Sequence, residues 1–322
     1  MSTPLLDIVD LTVSFRTEQG RLRAVKNVDL QVNPGQTLAI VGESGSGKSV
    51  TSLAIMQLLG EAGRIDSGSI NFAGDDIAKF SESQMQAIRG DRISMIFQEP
   101  MTSLNPVIQV GKQVAEPLVL HRGLSWRDAL DSAEELLHKV AIPDPRARLK
   151  EYPHQLSGGM RQRIMIAMAL ACNPKLIIAD EPTTALDVTV QAQILALLKQ
   201  LTHETGAALI LITHDLGVVA RYADRVSVMY GGRIMEAASA RDLYKTPLHP
   251  YTQGLMSSIP SLDGDVTQEL ATIEGQPPDL ADPPPGCPFA PRCAHAEQAC
   301  VSAPPPLQNI RTGHAWACIG YE

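Results

Sequence analysis

No apolar run in this 322-residue chain is long enough to cross a membrane. The longest, Ile164 to Cys172, falls well short of the roughly 20 residues a helical span needs. Positive charge is not in excess. With 27 Lys and Arg against 35 Asp and Glu the formal net charge is −8, which argues against broad, nonspecific nucleic-acid binding. The N-terminus, Met1 to Asp7, has neither a basic region nor a long apolar core, so no signal peptide is expected. These absences lead to the expectation of a cytosolic protein, with any role at a membrane coming through a partner. Cysteine is scarce as well: there are five, and four of them lie beyond residue 286. Hydrophobic content of 44% and charged content of 19% are ordinary for a soluble globular protein, and the length suggests about two domains.

What the chain has is concentrated in a few stretches. Gly42-Glu43-Ser44-Gly45-Ser46-Gly47-Lys48-Ser49 follows the apolar run Thr37 to Val41 and precedes a helical pattern through Ser52, Leu53, Met56 and Leu59. Strand, glycine-rich loop and helix form the context in which G-x-x-x-x-G-K-S signals a phosphate-binding loop. The glycines let several backbone N–H groups surround a phosphate chain, and the helix adds its positive end. Lys48 is expected to reach the β- and γ-phosphates and Ser49 to ligate Mg²⁺.

The rest of the chain reads as an α/β protein. Alternation at Leu11, Val13 and Phe15, and at Val28, Leu30 and Val32, predicts antiparallel strands joined across Thr17 to Gly20. Ser69 to Phe72 and Arg92 to Phe97 read as further short strands. From Pro106 to about Cys172 the pattern is helical, with Ser125 to Asp128 as a capping box. Three apolar strands then alternate with helices: Leu176 to Asp180, Ala208 to Ile212, and Arg225 to Tyr230. That pattern predicts a parallel sheet covered on both faces. Ligands bind beyond the carboxyl ends of such strands, where Gly42, Asp180, Glu181 and His214 fall. Asp180 is placed to hold Mg²⁺ through its water shell, and Glu181 to polarise a water for attack on the γ-phosphate. Leu156-Ser157-Gly158-Gly159-Met160-Arg161-Gln162 offers a second anion site, a serine and two glycines at a helix start.

Taken together, these segments resemble an ATP-binding cassette ATPase, the motor subunit of a membrane transporter, over roughly Leu5 to Gln253. Gly42 to Ser49 is similar to Walker A, Leu176 to Asp180 to Walker B, and Leu156 to Gln162 to the signature motif. The resemblance implies the P-loop ATPase fold, with a mixed sheet core, an antiparallel N-terminal β subdomain and a helical subdomain over about 100–172. It implies nucleotide contacts at Phe15, Gly42, Ser44, Gly45, Gly47, Lys48, Ser49 and Val50, where Phe15 stands in place of an adenine-stacking tyrosine. It further implies Mg²⁺ held through Ser49, Gln98 and Asp180, and catalytic roles for Glu181, His214 and Gln98. Ala185-Leu186-Asp187 is similar to the D-loop, which makes Asp187 a site residue. Ser157, Gly158, Gly159 and Gln162 would cap the nucleotide of a paired subunit. No heptads and no second Walker A are present, which disfavours the DNA-repair and translation-factor members.

Phe97 to Pro106 and His249-Pro250-Tyr251-Thr252 look like the dipeptide, oligopeptide and nickel importer branch, although His249-Pro250-Tyr251 alone reads as a turn. The branch implies a second, different ATPase subunit, two transmembrane permease subunits, an external substrate-binding protein reached indirectly, and no nucleic acid. It places the chain on the cytoplasmic face of the inner membrane. Peptide cargo leads; nickel or glutathione import, and a non-transport cassette ATPase, are the alternatives.

Beyond Gln253 the composition shifts. Eight acidic residues, two basic ones and 11 of the 23 prolines lie there, and residues 254–322 read as a small appendage that does not continue the sheet. Cys287, Cys293, Cys300 and Cys318 are separated by five, six and 17 residues. A reducing cytosol disfavours disulfides, so four thiolates suit either a Cys₄ zinc site or a 4Fe–4S cluster. The spacings are looser than paired C-x₂-C, which disfavours zinc, and the resemblance to the importer branch implies the iron–sulfur cluster. Cys172, inside an apolar run, reads as a buried core thiol.

Overall fold

The structure is a computed structural model that describes residues 3–18, 20–184, 186–258 and 272–320. It divides into two compact units, one of Met1–Val32, Thr37–Ala78 and Thr213–Glu322, the other of Asn33–Gln36 and Lys79–Ile212. The first unit opens with β1 (Leu6–Thr17), β2 (Gly20–Val32), β3 (Thr37–Val41), α1 (Lys48–Ile55), β4 (Gly63–Phe72) and β5 (Asp75–Asp76). β2, β1, β4 and β5 form an antiparallel sheet in that order, with Leu6 opposite Val32 on one side and Phe72 on the other. Its buried face changes parity along β1, from Leu6 and Ile8 to Leu11 and Val13. Since side chains alternate faces, such a switch needs an extra residue, and the register shifts between Ile8 and Leu11. Asp10 lies there with φ of 51°, its carboxylate accepting from Asn27 Nδ2 at 2.6 Å.

The second unit contains α2 (Glu82–Ile88), β6 (Ile93–Ile96), α3 (Pro100–Ser103), α4 (Val110–Arg122), α5 (Trp126–Lys139), α6 (Pro145–Arg148), α7 (Gly158–Leu170), β7 (Leu176–Asp180), α8 (Val188–Thr205) and β8 (Ala208–Thr213). β6, β7 and β8 run parallel, with Ile93 opposite Leu176 and Leu176 opposite Ala208. Every residue of β7 and β8 is buried, as the unbroken apolar runs predict. α4, α5 and α7 pack on one another. Ser125 caps α5, its hydroxyl accepting from Asp128 N at 3.2 Å, and Ala129, Ala133 and Leu137 form the buried stripe. Cys172 is fully buried and its thiol donates to the Pro117 carbonyl, in keeping with a core thiol.

The chain returns to the first unit with α9 (Leu216–Tyr222), β9 (Arg225–Tyr230), β10 (Arg233–Ser239), α10 (Ala240–Lys245), α11 (Pro250–Ser257), β11 (Gln308–Arg311) and β12 (His314–Trp316). β9 runs parallel to β3, and β10 pairs antiparallel with β9. The tail then corrects a sequence expectation, because it does continue a sheet. β12 pairs antiparallel with β10, placing Trp316 opposite Glu236, and β11 pairs with β12.

The physical reason is a buried carboxylate. Glu236 is fully buried and accepts from Leu248 N at 2.8 Å, His249 N at 2.9 Å and His314 Nε2 at 2.6 Å. His314 Nδ1 takes Arg311 Nη2 at 2.9 Å, which leaves the Nε2 proton for Glu236. One acid thus ties β10, the start of α11 and β12 together. His249-Pro250-Tyr251 is correspondingly not a turn: His249 caps α11, accepting at Nδ1 from Tyr251 N, and Pro250 takes the first helical position.

Candidate functional site

The phosphate loop lies in the first unit between β3, buried at all five positions, and α1. Gly42 has φ of 152°, and a Cβ there would sit 2.0 Å from the Met229 carbonyl oxygen. Gly47 has φ of 105°, and its Cβ would lie 2.7 Å from Ala24 O. Only glycine fits either position, because the loop backbone presses against β2 and the end of β9. Lys48 is 4% exposed and folds back over the loop, Nζ donating to Gly42 O at 2.8 Å and Glu43 O at 2.9 Å. Ser44 and Gly45 are exposed at the tip, and Ser49 and Val50 are half-buried on the first turn of α1. Phe15 stands opposite Gly63 on β4, half-buried, with its ring lying against that glycine. His214 follows β8 directly and is exposed.

The other expected residues are in the second unit. Asp180 ends β7 and is 5% exposed. Glu181 follows with φ of 43°, an uncommon conformation for a residue with a side chain and one that concentrates at functional sites. Its N–H donates to Ile212 O at 3.0 Å, which fixes the turn. Its carboxylate accepts from Gln98 Nε2 at 3.1 Å and from Thr184 Oγ1 at 2.9 Å. The structure therefore brings Gln98 and Glu181 together, although they are 83 residues apart in sequence.

Ser157 and Gly158 are exposed at the start of α7, and the Ser157 hydroxyl caps the helix by accepting from Met160 N at 3.3 Å. Gly158 packs near Leu186 and Gly159 near Val190, so the signature segment rests on the start of α8. Asp187 caps α8, accepting from Val190 N at 3.0 Å. Ala185 lies outside the described residues. Gln162 points inward and is 1% exposed, with its side-chain nitrogen unpaired among the described residues.

Sequence reasoning missed the residues that grip the loop from behind. Tyr251 of α11 accepts from the Glu43 N–H at 2.9 Å, and Arg292 of the tail pairs with the Glu43 carboxylate. Tyr230, Tyr251 and Phe289 form an aromatic cluster beneath them, with ring centroids 4.5–5.4 Å apart. The available signal was an acid, Glu43, inside a loop built for anions.

The expectation of a 4Fe–4S cluster on Cys287, Cys293, Cys300 and Cys318 is corrected, and the zinc alternative with it. Among the described residues no group of three or more His, Cys, Asp or Glu side chains is disposed to hold a metal ion. The four thiols border one recess of about 20 Å³, room for roughly one water. Cys287 and Cys300 are buried in the cluster around Tyr230, Tyr251 and Phe289. Burial pushes the Cys287 thiol up to about 11 and also raises Cys293 and Cys318. In these surroundings the thiols are neutral and pack as small hydrophobes.

A buried strand, a glycine loop holding its lysine and a helix, together with a buried parallel strand ending in Asp180 and Glu181, define a P-loop ATPase. The family model described as ABC transporter matches residues 25–184, and that of the oligopeptide/dipeptide transporter C-terminal region matches residues 235–300. A putative peptide import ATP-binding protein of Brucella melitensis is 54% identical over 99% of this chain and 98% of its own. The oligopeptide transport ATP-binding protein OppD of Salmonella typhimurium is 52% identical over 98% of this chain and 93% of its own. Among solved structures, the dimeric ATP-binding cassette MJ0796 bound to ADP and Pi is 30% identical. It covers 73% of this chain and 99% of its own, with a TM-score of 0.66. The chain belongs to the ABC transporter family of ATP-binding proteins.

Proposed function

We propose that this chain is the ATP-hydrolysing subunit of an importer for di- or oligopeptides, peripheral on the cytoplasmic face of the membrane. The observation that carries the peptide reading is the match of residues 235–300 to the oligopeptide/dipeptide transporter C-terminal region, in a chain whose relatives are named for peptide import. Residues 1–253 act as the nucleotide-binding cassette and 254–322 as an extension of the importer type.

The residues fit a magnesium nucleotide. Gly42 and Gly47 let the loop backbone pack directly on β9 and β2, which holds the loop in its curved path, and Lys48 supplies a cation over it. Ser49 and Asp180 are oxygen donors of the kind a hard divalent cation takes, with Gln98 as a further donor. Mg²⁺, when bound, neutralises the phosphate charge. The Phe15 ring offers an apolar face for adenine, and Ser44, Gly45 and Val50 complete the phosphate contacts. Glu181 polarises the attacking water, its carboxylate oriented by Gln98 and Thr184. His214 steadies the γ-phosphate end of the site.

Ser157, Gly158 and Gly159 present a helix start to the nucleotide of a second, different ATPase subunit, with Gln162 supporting them from inside and Asp187 setting the neighbouring turn. The exposure of Ser157 and Gly158 supports that role. Two permease subunits then receive the closing motion of the pair, and an external binding protein delivers the peptide.

The test is to purify the tagged chain from its native membrane and measure phosphate release with and without peptide and binding protein. Recovery of two permeases and a distinct second ATPase, with release stimulated by peptide, is expected. Recovery of only identical ATPase copies would overturn the heterodimer, and stimulation by a nickel chelate but not by peptide would overturn the cargo.

A further inference from the structure

The phosphate loop carries an acid where it has to hold a polyanion. A loose carboxylate at position 43 would repel phosphate and compete for the Lys48 amine. The structure shows how that carboxylate is restrained. Arg292 meets it fork to fork, Nη1 to Oε2 at 2.7 Å and Nη2 to Oε1 at 3.1 Å. The guanidinium is itself fixed, with Nε on Glu274 O at 2.9 Å, Nη2 on Ile273 O at 3.1 Å and Nη1 on Tyr230 OH at 3.0 Å. It lies 5.7 Å from the Tyr230 ring centroid and 6.0 Å from that of Phe289, and its side chain is only 6% exposed. On the backbone side, Tyr251 OH takes the Glu43 N–H. Lys48 meanwhile bonds the carbonyl oxygens of Gly42 and Glu43. The acid is held by the tail, and the lysine stays with the loop.

We propose that Arg292 is a positioning residue for the ATPase reaction: it neutralises Glu43 and draws its carboxylate onto the tail, leaving the loop and Lys48 to the phosphates. The tail thereby sets nucleotide affinity from 249 residues further along the chain. This rests on reading Gly42 to Ser49 as the ATP phosphate loop. Arg is suited to the task because its rigid fork matches a carboxylate and its charge does not titrate in the working range.

The experiment titrates the full chain with a non-hydrolysable ATP analogue and Mg²⁺. Arg292→Gln should weaken binding about tenfold, as expected for losing one charge-assisted interaction. Adding Glu43→Gln removes the charge that needed neutralising, and the double variant should return to within about threefold of wild type. A merely structural arginine would not be rescued this way. Arg292→Lys, which keeps the charge without the fork, should fall between and serves where Arg292→Gln does not fold. Unchanged affinity in Arg292→Gln, or a loss that Glu43→Gln does not relieve, would overturn the proposal. Failure of the wild-type chain to bind the analogue would instead sink the phosphate-loop reading on which it rests.

Discussion

Replacing Glu236 with alanine tests how the tail is attached. The carboxylate is fully buried and takes three donors, the N–H groups of Leu248 and His249 and His314 Nε2. Each is a hydrogen bond to a charged group, contributing about 1.5–3 kcal/mol, and removal leaves two backbone N–H groups and an imidazole N–H buried without partners. Allowing for relaxation, the loss is about 3–5 kcal/mol. In a chain of this size that corresponds to a fall in Tm of roughly 4–7 °C. The same change frees β12 and the start of α11, so limited proteolysis should release the tail well before the remainder is cut. Glu236→Gln should cost less, because its carbonyl still accepts one bond. An unchanged Tm with an uncleaved tail in Glu236→Ala would refute the reasoning.

Three other expectations follow from the geometry. Gly42→Ala puts a Cβ 2.0 Å from Met229 O, so nucleotide titration should show affinity reduced at least about tenfold, and a change under about twofold would count against the loop geometry. Ser157→Arg should cost about 1 kcal/mol through the lost cap and abolish ATP-driven pairing, read by light scattering, while the isolated subunit still binds nucleotide. Burial holds the His249 imidazole down at about 4 against an ordinary 6.5. Its folded value lies below its unfolded one, so the unfolded chain takes the proton first, and stability present above about 6.5 is lost as pH falls toward about 4. The slope approaches about 1.4 kcal/mol per pH unit within that window. His249→Asn, which keeps a capping acceptor, should flatten it in denaturant titrations run across that range.

The parts of the fold legible in the sequence are those set by short-range pattern. Thr37 to Val41, the glycine loop and the helix after it are contiguous, and the apolar runs at Leu176 and Ala208 are long enough to require burial on both faces. The Ser125 cap needed only four residues, Ser125 to Asp128, to be seen. The bulge at Asp10 came only with the structure, although its trace is in the sequence, where the apolar parity switches between Ile8 and Leu11. The tail was misread because composition outweighed pairing: its prolines concealed three residues, His314 to Trp316, whose strand depends on a buried acid 78 residues earlier. The cysteines misled for a related reason. Four thiols near one another suggest a ligand set, but the aromatic cluster that buries two of them is assembled from Tyr230, Tyr251 and Phe289, which no local spacing connects. The Glu43–Arg292 pair and the Gln98–Glu181 contact are likewise set by the fold, because neither side chain of a pair implies its partner.

The most direct measurement of the central claim is phosphate release by the assembled transporter carrying Glu181→Gln, with nucleotide binding measured on the same protein. Glutamine keeps the size of the side chain and a carbonyl oxygen toward Gln98 and Thr184, but it cannot polarise water as a carboxylate does. The account predicts nucleotide affinity within about threefold of wild type and turnover reduced at least about a hundredfold, with the subunit pair accumulating closed on ATP. Turnover within about threefold of wild type would contradict it.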